Sequence, residues 1–218
     1  MAHPFEGPAP VGATPRDSAL TEWLLRAFAM LAYGVMVWVV AQHWWADRGR
    51  LSLLLLLVSE GFTLALVVFA RRAVVRDLSA VAIATTVFAL TFFLFFGYDG
   101  TRHQVPEWVA VVLQGVGMTW QIAAKVTLGR SFGLLPASRG LVTTGPYRLV
   151  RHPIYLGYLA GHIGFLLANA SWRNFAVLAL LYSAQVIRII REEQMLGTSH
   201  GYRAYCERVR WRLVPGLF

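Results

Sequence analysis

Residues 51–70 carry a single charge, Glu60, in a run of twenty residues. A helix needs about 20 apolar residues to cross the hydrocarbon core of a bilayer. Lipid offers no hydrogen bonds to the backbone, so a segment crossing it must satisfy its own N–H and C=O groups. The feature recurs. Six segments read as membrane helices, at residues 22–45, 51–70, 80–98, 108–128, 155–170 and 175–190. The last two are shorter and more polar, and they are expected to form a hairpin lying against the others. The expected fold is an all-α, polytopic membrane helical bundle of about six transmembrane segments. A content of 57% hydrophobic and 14% charged residues excludes an ordinary soluble domain.

The basic residues set orientation and exclude nucleic acid as a partner. The net charge is +9, and nineteen of the twenty Lys and Arg residues are Arg, Lys125 being the exception. They cluster beside the apolar segments and form no separate basic face, so membrane lipids are the expected contact. With a cytoplasmic N-terminus, the outer loops hold only Arg48, Arg50, Arg102 and Arg173, against sixteen basic residues on or near the inner side. Positive charge is retained inside, so both termini are expected in the cytoplasm. An Arg-rich, Lys-poor composition suits a bacterial inner membrane protein. Residues 1–19 hold four prolines and read as a disordered tail, with no signal peptide. Residues 20–128 hold four membrane helices, and residues 129–218 hold two more and a C-terminal cytoplasmic helix. The single cysteine, Cys206, excludes an internal disulfide and a cysteine metal cluster.

Chemistry concentrates in residues 145–157, which join two turn-formers to Arg148, Arg151, His152 and two tyrosines. Pro153 suits the first position of a helix, where its missing N–H costs nothing. His152 then falls near the N-cap. Free N–H groups and the helix dipole favour an anion there, a carboxylate or phosphate. The arginines alone would equally suit lipid headgroups, and His152 alone a structural hydrogen bond. The remaining histidines show no metal-ligand spacing. Arg188 and Glu192 share a helix face, with Gln185 one turn earlier. The two are either a functional pair or a mutual interfacial salt bridge. Glu193 points elsewhere and is placed to meet a loop arginine. Gln114, Gln121 and Lys125 form one polar stripe, and Tyr155, His162 and Asn169 another, with Tyr158 beside it. Such stripes line a cavity or hydrogen-bond between helices. Glu60, in mid-segment, is protonated, paired with a buried base or turned to a cavity. Gly157, Gly161 and Gly164 allow close helix approach.

Four motifs in order carry a family resemblance over about the last ninety residues. They are Leu141-Val142-Thr143-Thr144-Gly145-Pro146-Tyr147, then Arg151-His152-Pro153-Ile154-Tyr155-Leu156-Gly157. Arg188 and Glu192-Glu193 with Leu196 follow, then Tyr202-Arg203-Ala204-Tyr205. They resemble the isoprenylcysteine carboxyl methyltransferases, integral membrane enzymes similar to the phospholipid N-methyltransferases. The resemblance implies S-adenosylmethionine as cofactor, a cytoplasmic cofactor pocket and a methyltransferase core over residues 129–218. It implies that Leu141, Val142 and Tyr147 line that pocket. His152, at Pro153 and with Tyr155, would help to hold the cofactor, and Glu192 would receive its amino group. Arg188 would orient an acceptor carboxylate. The turn before Tyr202, Ser199-His200-Gly201, is shorter than the family's. A carboxylate on a lipophilic acceptor needs no base. A lipid amine or a thiol would need one, for which Glu193 and Tyr205 are candidates, so the catalytic residues expected are Arg188 and Glu193. Two alternatives stand beside this. One is a sterol-type reductase, which shares an Arg-His-x-x-Tyr segment but binds NADPH and has a longer chain. The other is a transporter or scaffold in which Glu60, Lys125 and His162 form an ion path.

Overall fold

Short polar side chains decide where several of the helices begin. The computed structural model describes residues 13–15, 19–69, 75–98, 105–129, 137–138 and 141–218. Helix α1 spans Ala19–Ala46 and α2 spans Leu51–Phe69. Helix α3, Ala80–Thr91, is N-capped by Ser79, whose hydroxyl accepts from Ala82 N at 3.3 Å. Ser79 N in turn donates to Asp77 Oδ1 at 2.9 Å. A 3₁₀ turn, Phe92–Phe95, continues α3. Helix α4 spans Glu107–Leu128 and α5 spans Pro153–Ala168, with Pro153 in its first turn. Helix α6, Trp172–Leu196, is capped by Ser171, which accepts from Asn174 N at 3.1 Å. Helix α7, His200–Arg208, ends the series. Three strands of two or three residues form an antiparallel ribbon in the order β1 (Ala13–Pro15), β2 (Val75–Asp77), β3 (Ala137–Ser138).

The tightest crossing in the bundle is α4 against α5. A Cβ on Gly117 would lie 2.6 Å from both Gly157 O and Gly161 N. One on Gly157 would lie 2.6 Å from Gln121 Cβ, and one on Gly164 would lie 2.8 Å from Ala110 O. Only hydrogen fits at these three points, so the backbones touch. Helix α2 packs on α1 and α4, and α6 packs on α3 and its 3₁₀ turn. Met36, Leu53, Phe93, Phe96, Phe165 and Leu181 share one buried apolar cluster. At that end of the bundle, Arg50 donates to Tyr98 O and Asn169 Oδ1. Asn174 bonds both backbone groups of Gly97. Polarity is inverted relative to a soluble protein: Leu31, Trp38, Val116 and Leu180 are exposed, while Glu60, Gln114, Lys125 and Arg188 are buried. That surface requires a lipid solvent.

The helical membrane bundle agrees with the sequence reading, with differences in detail. Among the described residues, three helices are long and apolar enough to cross a membrane: Arg26–Ala46, Glu107–Leu128 and Trp172–Leu196. The other three apolar helices are shorter. The expected third segment, 80–98, tightens to a 3₁₀ turn at Phe92 and is extended from Phe96. The sixth segment, expected to be short, is a 25-residue helix. It does not pair tightly with α5, because the glycine face of α5 is taken by α4. The small ribbon adds strand to a chain expected to be all helix. It pairs Ala13–Pro15 with Val75–Asp77, while residues 1–12 and 16–18 of the expected tail lie outside the described residues.

Two outcomes follow. Gly157→Ala should lower the thermal unfolding midpoint in detergent, because overpacking against backbone costs about 1–3 kcal/mol. Gly115→Ala, whose Cβ meets nothing within 4 Å, should leave it unchanged or raised. Equal losses in both would contradict the close approach. Asp77 accepts from Arg191 Nε at 2.6 Å, which ties β2 to α6. Burial alone would raise the Asp77 carboxyl, but the Arg191 guanidinium and the Ser79 bonds outweigh it and hold it below its ordinary value. The stability this adds is therefore present above the unfolded carboxyl's pKa of 3.8 and is lost as pH falls through the folded value. An acid titration should show Asp77→Asn less stable than the parent at neutral pH and the difference vanishing below that point.

Candidate active site

The approach to α5 is built on one glycine. Gly145 has φ +57°, and a Cβ there would lie 2.9 Å from Thr127 Oγ1 of α4. It opens a 3₁₀ turn, Gly145–Arg148, that pins Tyr147 against the bundle. His152 occupies the N-cap position of α5 and Pro153 its first turn, as expected from the sequence. The C-terminal segment then runs along this junction. Arg151 N donates to Trp211 O at 2.9 Å and His152 N to Arg212 O at 2.8 Å. Tyr205 of α7 donates its hydroxyl to Tyr147 O at 2.7 Å.

Glu193 is the hub of this junction. Its Oε1 lies 3.1 Å from an Arg151 guanidinium nitrogen and 3.2 Å from His152 Nε2, and its Oε2 lies 2.8 Å from Arg212 Nε. Burial opposes charge on Arg151, but Glu193 and then Cys206 outweigh it and raise its pKa. A carboxylate held at both oxygens by Arg151, Arg212 and the His152 ring is poorly placed to take a proton. Glu193 thus meets a loop arginine, as expected, in an arrangement that suits positioning. Tyr205, the other base candidate, has its phenol pushed well up by burial and its proton engaged by Tyr147 O.

The adjacent residue faces a different neighbourhood. Among the described residues no hydrogen bond or ion pair engages the half-buried Glu192. Its charge is felt by both Tyr147 and Tyr155. Arg188 is only 7% exposed, donates to Gln185 Oε1 at 2.9 Å, and lies 5.7 Å from the centre of the Tyr155 ring. Arg188 and Glu192 are thus not closed on each other as a mutual salt bridge. Burial, then the charge of Glu192, pushes the Tyr147 phenol well above its ordinary range. The Tyr202 hydroxyl is buried with no hydrogen-bond partner among the described residues, in the field of both Glu193 and Glu192. Leu141 lies 3.9 Å from a Cβ position on Gly201, against the start of α7, and Val142 is half-buried. An unengaged carboxylate, an orphaned phenol, aromatic rings and a helix N-terminus within one region fit an amphoteric, cationic cofactor such as S-adenosylmethionine. The carboxylate suits an ammonium and the helix terminus a carboxylate. The rings suit a sulfonium or an adenine.

Sequence reasoning found the two polar stretches but missed what joins them. Arg212 and the backbone of Trp211 lie in an irregular segment with no motif, and Arg208, Arg210 and Arg212 read alike as surface arginines. Of the expected residues, Tyr147, Tyr155, Arg188 and Glu192 form one group. His152 sits between that group and the Glu193 hub, 5.9 Å ring to ring from Tyr155.

Residues 108–203 match the family model for phospholipid methyltransferase. The chain is 41% identical over 104 residues to protein-S-isoprenylcysteine O-methyltransferase A of Arabidopsis thaliana, covering 43% of this chain and 52% of that protein. It is 36% identical over 121 residues to a nickel-cobalt-cadmium resistance protein of Alcaligenes xylosoxydans xylosoxydans, covering 44% and 56%. It is 36% identical over 115 residues to a cobalt-zinc-cadmium resistance protein of Cupriavidus metallidurans, covering 51% and 50%. The matches span about half the length of these relatives, and no solved structure matches the chain.

Removing the hub tests its positioning role. Glu193→Gln leaves Arg151, His152 and Arg212 facing one another without a counter-charge. Breaking a buried pair in this way costs about 3 kcal/mol. The variant is expected to unfold at a lower temperature and to be cleaved faster by protease within residues 209–218. An unchanged cleavage rate would show that the segment is held by its backbone bonds alone.

Proposed function

We infer that this protein is a membrane methyltransferase that transfers a methyl group from S-adenosylmethionine to a lipophilic acceptor. The observation that carries this reading is the division of labour on α6. Glu192 is open to a ligand beside Tyr147 and Tyr155, and Arg188 lies one turn away over Tyr155. Glu192 binds the cofactor's ammonium group. His152, Pro153 and the first turn of α5 face its carboxylate, with Leu141, Val142, Tyr147 and Tyr155 around the remainder. The cofactor supplies an activated methyl group on a sulfonium.

The chain's own contribution is proximity, orientation and exclusion of water. Arg188 holds the acceptor, and a guanidinium suits a carboxylate through paired N–H donors. A carboxylate acceptor is already anionic, and with Glu193 and Tyr205 both engaged, the site favours an acceptor that needs no base. This supports carboxyl O-methylation over methylation of an amine or thiol. The acceptor enters sideways from the bilayer and the soluble cofactor from the cytoplasm. The arginine distribution supports both termini on that side and a bacterial inner membrane. Two relatives are named for metal resistance. Among the described residues no group of three His, Cys, Asp or Glu side chains is arranged to hold a metal ion, so nothing in the site favours that reading.

The purified protein should be stabilised by S-adenosylhomocysteine and not by NADPH. At a hundredfold excess over the dissociation constant the gain is about 2.7 kcal/mol. Glu192→Ala should abolish this response, whereas Arg188→Ala should retain it and lose turnover. Absence of any response in the parent protein would exclude the methyltransferase reading. A response that survives Glu192→Ala would exclude only the role given to that residue.

A further inference from the structure

Midway along the bundle lies a second polar region that the cofactor site does not use. Lys125 is fully buried. Its ammonium donates to Thr63 Oγ1 at 2.6 Å and to Gln121 Oε1 at 2.8 Å, and stands 4.7 Å from the centre of the Tyr158 ring. Gln121 Nε2 donates to Ser59 Oγ at 2.7 Å. Ser59 also bonds the neighbouring Glu60, a carboxyl in the field of Lys125. Glu60 and Lys125 thus lie in one another's field within the bundle. Beside it is a cavity of about 20 Å³, lined by Glu60, Gln114, Tyr158 and His162, with the half-buried Leu55 and Met118 among its apolar walls.

One atom in this wall is unmet. Gln114 is 5% exposed, and its Nε2 has no hydrogen-bond partner among the described residues. A buried donor left this way is costly. His162 spends Nδ1 on the Tyr182 hydroxyl at 2.8 Å, which leaves its other nitrogen for a further partner. The cavity admits one group about the size of a water molecule. That group must accept from the Gln114 amide and sit beside the Glu60 carboxyl. An ammonium donates but cannot accept from Gln114, a methyl group does neither, and a carbonyl can only accept. A hydroxyl does both.

We propose that this cavity receives the hydroxyl group of a lipophilic molecule that enters from the lipid between α2 and α4. Tyr155 and His162 are seven residues apart on α5, about 10 Å along the axis. Resting on the methyltransferase reading, the occupant is the acceptor itself, a lipophile carrying a hydroxyl about 10 Å from the atom that is methylated.

The full chain in lipid nanodiscs is photolabelled with a sixteen-carbon chain bearing a mid-chain hydroxyl beside a diazirine. The same diazirine chain without the hydroxyl serves as comparison, and adducts are located by peptide mass spectrometry. The hydroxylated probe should label residues 55–60 and 114–121 about tenfold more than the plain chain, and Gln114→Leu should remove the excess. Equal labelling by both probes, labelling of these peptides by neither, or an excess that survives Gln114→Leu each overturns the proposal and leaves the cavity to water. Should Gln114→Leu fail to fold, competition in the parent protein decides: unlabelled mid-chain alcohol must suppress the adducts and unlabelled alkane must not. The response to S-adenosylhomocysteine, measured on the same preparations, separates the two readings. Its presence without alcohol preference removes this site alone. Its absence with alcohol preference keeps the site and removes its assignment to a methyl acceptor.

Discussion

The contact on which the remaining geometry depends is the approach of α4 to α5 at Gly117, Gly157 and Gly164. In lipid there is no hydrophobic force between helices, so close van der Waals packing carries the association. Because only hydrogen fits at these points, the two backbones meet. The polar faces of both helices are thereby fixed in register. Gln121 and Lys125 are brought over Tyr158, and Thr127 at the end of α4 meets Gly145 at the entrance to α5. The position of His152 and Pro153, and so of the cofactor site proposed there, follows from this crossing.

Two adjacent glutamates on α6 illustrate how a helix assigns chemistry by face. Successive residues on a helix point about 100° apart. Glu193 turns toward the loop before α5 and the C-terminal segment, where Arg151, His152 and Arg212 hold it. Glu192 turns toward Tyr147 and Tyr155 and stays open to a ligand. In the proposed site the pair thus closes the pocket with one residue and supplies it with the other. In the mid-bundle cluster Lys125 and Glu60 lie in one another's field, while Gln114 has a donor with no partner among the described residues. Polar groups are costly at that depth, and here they are met largely by hydrogen bonds between helices.

Much of the fold was legible because lipid makes hydropathy decisive. The apolar runs marked α1, α2, α4 and α5 to within about three residues. The capping and start signals of α5, His152 and Pro153, were readable at once. Helix α6 was read as too short because Arg188, Arg191, Glu192 and Glu193 interrupt its hydropathy. Arg188, Arg191 and Glu193 have partners inside the protein, and hydropathy has no means of counting a partner distant in sequence. The tight hairpin of the last two helices failed for a related reason: the glycines of α5 were visible, but the helix that would fill them was not.

The sequence by itself determined the class of solvent, the helical architecture and the two stretches in which charged chemistry resides. These are local properties, set by run length, periodicity and turn-forming residues. Only the tertiary structure decided that Glu193 is held in place while Glu192 meets no partner among the described residues, since the choice depends on Arg212 and Arg151, 19 and 42 residues away along the chain. It also decided that the polar stripes of α2, α4 and α5 converge on one small cavity. Periodicity specifies which face of a helix is polar, but which faces meet is determined by where backbone can touch backbone.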